Sequence, residues 1–292
     1  MNEHEVQMNT REQGRKTYHR HISGDKRPCL NIKELLEYRD LIFLLARREF
    51  VVNYKQTILG PLWIFLTPII TSLLDIFLFG KVAGISTEGV PGILFYLVSN
   101  AVWGFFALSV TACAETFIEH ASMLGKVYFP RIVMPAAEIL SAFYRLLLQL
   151  IPAGLCFAYY LLRGGISTDP SAWWILPLSL LHLGILSLGC GLIVAAMTVK
   201  YRDLRVLARF GISLWKYITP VVYPLSVLSG KAAQFVGMNP VTVPVELFRF
   251  GLWKMSSVTA VQIAGSWCLS LILLAAGVVL FHKAEGTFID TI

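Results

Sequence analysis

Apolar residues along this chain gather into unbroken runs, far longer than the alternating or 3.6-residue patterns of a soluble fold. Six stretches are long enough to cross a bilayer, which takes about 20 apolar residues: 59–79, 92–113, 132–162, 173–197, 207–228 and 258–281. The third, with Arg145 at its middle, would reach roughly 46 Å at the helical rise, so it must tilt or project from the membrane. Residues 30–55 differ in kind: Leu35, Leu36, Ile42, Phe43, Leu45, Phe50 and Val51 alternate with Glu, Lys and Arg. That pattern predicts an amphipathic helix lying in the membrane interface, or packed on a partner, before the chain turns inward at Gly60-Pro61. The stretch 229–256 is half apolar but interrupted by Pro240 and Pro244. It is too broken to span and too greasy for an ordinary loop, so a re-entrant hairpin dipping into the outer leaflet is expected between spans five and six. The fold class is therefore all-α, a polytopic membrane protein, with residues 1–29 forming a polar cytoplasmic tail and 30–292 the membrane domain.

Composition agrees: 56% of the 292 residues are hydrophobic and 15% charged, against about 25% charged in soluble domains. This excludes a soluble enzyme, a disordered chain and a secreted disulfide scaffold. The net charge of +7 raises nucleic acid as a partner, but its placement answers otherwise. Of 25 Lys and Arg residues, 11 precede Gln56. With both termini in the cytoplasm, 18 fall on that side and five outside, leaving Arg145 and Lys216 within spans. The positive-inside rule then places the termini inside and explains the basic excess by a membrane surface, not nucleic acid. The five cysteines form no CxxC pair and read as small apolar side chains. His4, His19 and His21 sit at irregular spacing, and no metal site is expected.

Catalytic signatures are missing: the sequence has no GxxxxGK[ST], HExxH or GxSxG. Asp75, Glu138, Arg145 and Lys216 are the ionisable residues within spans. Each costs about 2.5–3.5 kcal/mol at a helix centre and needs a polar environment. Glu138 and Arg145, seven apart on one helix, are roughly 10 Å apart by rise and cannot pair directly.

Several segments, in order, resemble the membrane subunits of polysaccharide-exporting ABC transporters, the family that exports O-antigen, capsule and teichoic acid chains. RREFVVNYKQTILGPLWIFLTPI at 47–69 is similar to the entry to that family's first span. GKVYFPRIVMP at 125–135 and VKYRDLR at 199–205 resemble its two cytoplasmic loops. PVVYPLS at 220–226, NPVTVPVELFR at 239–249 and AEGTFIDTI at 284–292 resemble its fifth span, outer gate and tail. The polar leader has no counterpart in the resemblance. What it implies is a non-catalytic channel subunit in a bacterial inner membrane, acting as a homodimer with two copies of a separate ATPase. That partner holds ATP and Mg, and this chain binds no cofactor. The cargo is a lipid-linked polysaccharide. The alternatives are an ABC exporter for a drug or small lipid, and less so a membrane-embedded glycan-lipid enzyme.

On that footing, residue roles follow. Sugars stack their C–H faces on aromatic rings, so a channel lining is expected from Trp63, Thr67 and Thr71 on the first span and Trp215, Tyr217, Thr219 and Tyr223 on the fifth. Arg47, Arg48 and Lys55, at the cytoplasmic leaflet, suit a lipid diphosphate, since guanidinium groups match phosphate geometry; ordinary anionic lipids are the plainer ligand. Glu115, Glu119, Lys126 and Tyr128 are expected to contact the ATPase. Asn239 and Pro240 should break the outer hairpin into two helices, the second holding Glu246 and Arg249 on one face as part of an outer gate.

Overall fold

The computed structural model describes residues 32–52, 60–119, 129–201, 203–254 and 257–289. Among these every regular element is helical: α1 (Ile32–Glu37), α2 (Arg39–Val52), α3 (Leu62–Asp75), α4 (Gly92–Glu119), α5 (Val133–Leu162), α6 (Ile175–Lys200), α7 (Leu204–Ile218), α8 (Gly230–Gly237), α9 (Thr242–Trp253) and α10 (Ala260–Ile289). The polar tail, Lys55, Lys126 and Tyr128 lie outside the described residues. α3 continues without a break into a π-helical stretch, Ile76–Val82. Gly60 takes a positive φ of 49°, which a side chain would resist, and Pro61 follows it to open α3. α3 thus begins directly after the Gly60-Pro61 pair.

Five described helices are long and apolar enough to cross a membrane: Leu62–Val82, Gly92–Thr116, Val133–Leu162, Pro170–Lys200 and Ala260–Ala284. The expected fifth span, 207–228, differs. Its helix, α7, stops at Ile218 because Pro220 disfavours helical geometry in the residue before it, and Thr219 is extended (φ −89°, ψ 142°). The backbone beyond is irregular, yet its carbonyls are met. Pro220 accepts from Arg249 Nη2 at 2.8 Å, Val222 from the Tyr96 hydroxyl at 3.3 Å, and Ile218 from the Tyr223 hydroxyl at 3.3 Å. Non-helical backbone survives at membrane depth only where protein satisfies it in this way.

α4 is the central helix, packed against α3, α5, α6 and α7, with Phe95, Tyr96, Phe105, Phe106 and Val110 buried along it. α6 joins α4 to α10 through backbone-close contacts. A Cβ on Gly189 would stand 2.6 Å from the Leu274 amide nitrogen, one on Gly277 2.6 Å from the Gly189 carbonyl oxygen, and one on Gly191 2.7 Å from Cys113 Cβ. Lipid tails offer no hydrophobic drive for helix association, so small residues that let backbones meet hold such bundles together. α2 lays Leu45 and Ala46 on Phe129, Val133, Met134 and Ala137 at the start of α5, while Leu36, Phe43, Leu44, Val51 and Val52 remain exposed.

The segment after residue 229 breaks into α8 and α9 at Asn239-Pro240, the position its sequence predicts. Its surroundings are less predictable: nearly every residue of α9 is buried, against α6, α4 and α10. Asn239 ties the turn together. Its Oδ1 accepts from Trp215 Nε1 (3.2 Å) and the Val241 amide (3.1 Å), and its Nδ2 donates to Thr219 Oγ1 (2.9 Å). Ser266 of α10 donates to the Pro240 carbonyl at 2.9 Å.

Candidate functional site: a polar cleft inside the bundle

α3, α4, α5 and α7 do not close on one another. Between them lies a cleft of two adjoining cavities, about 590 Å³ and 390 Å³, which share Leu108, Thr111, Ala142, Arg145 and Arg209 as wall. The smaller cavity lies beside the C-terminal part of α4 and the start of α5, where Glu49, Glu115, Glu138 and Ser141 line it. The larger rises into the bundle past Thr67, Thr71, Asn100, Gln149, Lys216 and Tyr217. Helix periodicity explains who faces it. On α7, Arg209, Ile212, Ser213 and Lys216 are three to four residues apart and share one face. On α5, Glu138, Ser141, Ala142, Arg145 and Gln149 repeat the same spacing.

Charges in the cleft are matched. Arg209 reaches Glu115. Lys216 Nζ lies 3.5 Å from Asp75 Oδ2, both side chains largely buried. Asn100 Nδ2 donates to the same Asp75 oxygen at 2.9 Å and lies 3.3 Å from Ser72 Oγ. Glu138 and Arg145 line the lower cavity, and each is engaged with a partner. A charged group this deep is tolerated only with a partner or water beside it, and here partners are supplied.

The expected channel residues divide. Thr67, Thr71 and Tyr217 line the cleft. The threonine hydroxyls donate to the carbonyls four residues back, at 2.8 and 2.9 Å, which leaves their oxygens able to accept. Trp63 is exposed one turn before Thr67 on the same face of α3, and does not line the cleft. Trp215 and Thr219 are committed to Asn239, Trp215 also packs edge-on against Phe106, and the Tyr223 hydroxyl is turned back onto α7. Arg47 and Arg48 are exposed on α2, with Glu49 beside them at the cleft mouth. Glu115 lies within α4, whose helix runs to Glu119, past the expected end at 113. Glu246 and Arg249 form a buried pair, the guanidinium 4.6 Å from the Phe95 ring centre.

Asn100, Gln149 and Arg209 escaped the sequence reading. One amide inside an apolar run does not interrupt it, and Arg209 had been counted as cytoplasmic. The signal available was spacing: Arg209 with Lys216, and Arg145 with Gln149, mark polar stripes on otherwise apolar helices.

No group of His, Cys, Asp and Glu suited to a metal occurs among the described residues. A third cavity of about 510 Å³, between α5 and α6, is lined by apolar residues including Phe105, Ile139, Phe143 and Leu181.

Residues 40–253 match the ABC-2 type transporter family. An "O-antigen export system permease protein RfbA" from Klebsiella pneumoniae is 26% identical over 259 residues, covering 86% of this chain and 94% of that protein. One of the same name from Myxococcus xanthus is 26% identical over 269 residues, covering 89% and 98%.

Proposed function

Since the chain belongs to the ABC-2 type transporter family, we propose that it is the membrane subunit of an ATP-driven exporter that carries a lipid-linked polysaccharide, of the O-antigen or capsular kind, out of the cytoplasm. The observation that carries this reading is the cleft: a hydroxyl-, amide- and charge-lined path within a helix bundle, where a merely structural bundle would bury apolar side chains. Relatives named as O-antigen export permeases, matched over nearly their whole length, support the cargo class.

In this reading two copies face each other and their clefts make one conduit. α7 and the extended stretch after it form a discontinuous fifth crossing, so six crossings leave both termini inside. α4 supports that count: from Glu115, paired with Arg209, to Tyr96, bonded to Val222, it rises roughly 28 Å, close to the hydrocarbon thickness. Residues 209–222 bridge the same two levels. α2 lies at the cytoplasmic interface, with Arg47, Arg48 and Lys55 receiving the lipid diphosphate. Two copies of a separate ATPase, holding ATP and Mg, push on the cytoplasmic end of α4 and the segment after it through Glu119, Lys126 and Tyr128. Glu115, held by Arg209, passes that movement to the cleft. The re-entrant segment around Asn239, Pro240, Glu246 and Arg249 closes the outer end.

The test is reconstitution in a bacterial-lipid bilayer with the ATPase partner. A lipid-diphosphate glycan should raise ATP hydrolysis several-fold and move outward, whereas the chain alone should hydrolyse nothing. Activity without the partner, or indifference to glycan lipids, overturns the reading. The apolar cavity between α5 and α6 favours a second reading, export of a small amphiphile, which the same assay separates by cargo.

A further inference from the structure

The cleft's charges are compensated by this chain's own groups, and that has a consequence for what can travel through it. Among the described residues, the cations facing it are Arg145, Arg209 and Lys216, and the carboxylates are Glu49, Glu115, Glu138 and the Asp75 behind Lys216. Arg209 is taken by Glu115, Lys216 by Asp75, and Arg145 and Glu138 are each engaged as well. Among the described residues the three cations face four carboxylates, so they hold no surplus of positive charge for an anionic guest. What remains is a dense set of hydrogen-bonding atoms: guanidinium and ammonium N–H donors, carboxylate acceptors, and the amides of Asn100 and Gln149, which do both.

A sugar hydroxyl donates once and accepts twice, so an uncharged pyranose can bond a matched ion pair on both sides without disturbing its charge balance. The half-exposed Tyr217 ring adds a surface for the sugar's C–H face. A uronate or other acidic sugar would instead bring a carboxylate among carboxylates, and like charges at such close range repel.

We infer that the cleft selects uncharged sugars: it is a subsite for neutral glycan units, and chains with an acid on each repeat are excluded from it. This rests on the polysaccharide reading above and narrows it.

The test uses the complete complex of permease and ATPase in nanodiscs, with two soluble probes of equal length, a neutral hexamannoside and a hexagalacturonate, followed by saturation-transfer NMR and calorimetry at pH 7. The neutral probe should bind at least tenfold more tightly. Gln149→Leu removes one set of hydrogen bonds and should weaken neutral binding roughly five- to tenfold. Because Asn100 also steadies Asp75, Asn100→Ser is the second variant, expected to act in the same direction with less disturbance. Glu138→Gln with Glu115→Gln should raise affinity for the acidic probe at least several-fold and so narrow the preference for the neutral one. Acidic binding equal to or tighter than neutral overturns the selectivity and leaves polysaccharide export standing. Neutral binding untouched by both amide variants removes the site from the cleft. If neither probe binds, and only a small amphiphile does, the polysaccharide reading falls as well.

Discussion

The pair Asp75–Lys216 offers the sharpest test of how the cleft is held. The two charges approach to 3.5 Å, a separation worth about 5 kcal/mol at an effective dielectric of 20. Water in the adjoining cleft, whose wall includes Lys216, screens part of this, so the net coupling should fall to about 1–3 kcal/mol. The single substitutions should be unequal. Lys216→Met strands the Asp75 carboxylate, with Asn100 as its nearest remaining donor, and should cost about 3 kcal/mol. Asp75→Asn leaves an ammonium that can turn toward cleft water, and should cost about 1–2 kcal/mol. The double variant removes both charges and should recover much of the larger loss. Equilibrium unfolding in mixed micelles, read by tryptophan fluorescence across the four proteins, supplies the cycle. Additivity within about 0.5 kcal/mol would show that the pair carries no coupling and that proximity had been mistaken for interaction.

Arg249→Met should destabilise the fold by about 3–5 kcal/mol by the same measurement, since Glu246 stays buried without its cation and the Pro220 carbonyl loses its donor. Gly189→Ala forces α6 from α10, because the new methyl meets backbone at 2.6 Å; Gly184→Ala, with nothing within 4 Å, should leave the melting temperature unchanged. Asp169, beyond the spans and bonded to Lys254 and the Ser171 amide, has its carboxyl pKa lowered to about 2. Its tie to the end of α9 is therefore full above the ordinary carboxyl range near 4 and lost as pH falls through about 2. Carbon-13 NMR of labelled Asp should show that midpoint shift upward when Lys254 is replaced by Met.

The membrane class and five of the six expected spans stand plainly in the sequence, because a run of 20 apolar residues has no stable place but a bilayer. Helix ends were less legible. α4, α6 and α10 run past their apolar cores into polar residues, since a helix ends where its backbone bonds end and not where hydrophobicity does. The fifth span was misjudged for the converse reason. Apolar residues continue through Val221, Val222 and Leu225, while Pro220 has already stopped the helix. Four-residue spacing put Trp215 and Thr219 on one face, correctly, but spacing says nothing about what that face meets. It met Asn239, contributed from 20 residues further on. The cleft itself is a product of tertiary arrangement: Glu115 and Arg209 are 94 residues apart, and neither neighbourhood announces the other.

These contacts also separate a rigid part from a movable one. α6, α9 and α10 are locked: backbone touches backbone at Gly189 and Gly277, Gly251 is pressed on Leu176, and Asn239 and Ser266 pin the outer turn. α3 is held differently. Leu62, Trp63, Ile70, Leu73, Leu74, Phe77 and Leu78 are exposed along it. Its inward face meets α4 and α7 partly through polar groups that water or a sugar hydroxyl can replace, at Ser72 and Asp75. Directly beyond Asp75 the helix changes from α to π winding, a rare arrangement that is frequent at functional sites. Opening the cleft should then be a movement of α3 against α7, with the outer segment a fixed cap at its rim. Disulfides decide between this and a swinging outer gate. In a cysteine-free background, joining cysteines at 79 and 217, whose native rings lie 6.5 Å apart, through a short bis-thiosulfonate linker should halt export until reduction, whereas joining 176 and 251 across α6 and α9 in the same way should leave it intact. Export blocked by the second bridge and not by the first would place the moving part in α9 instead.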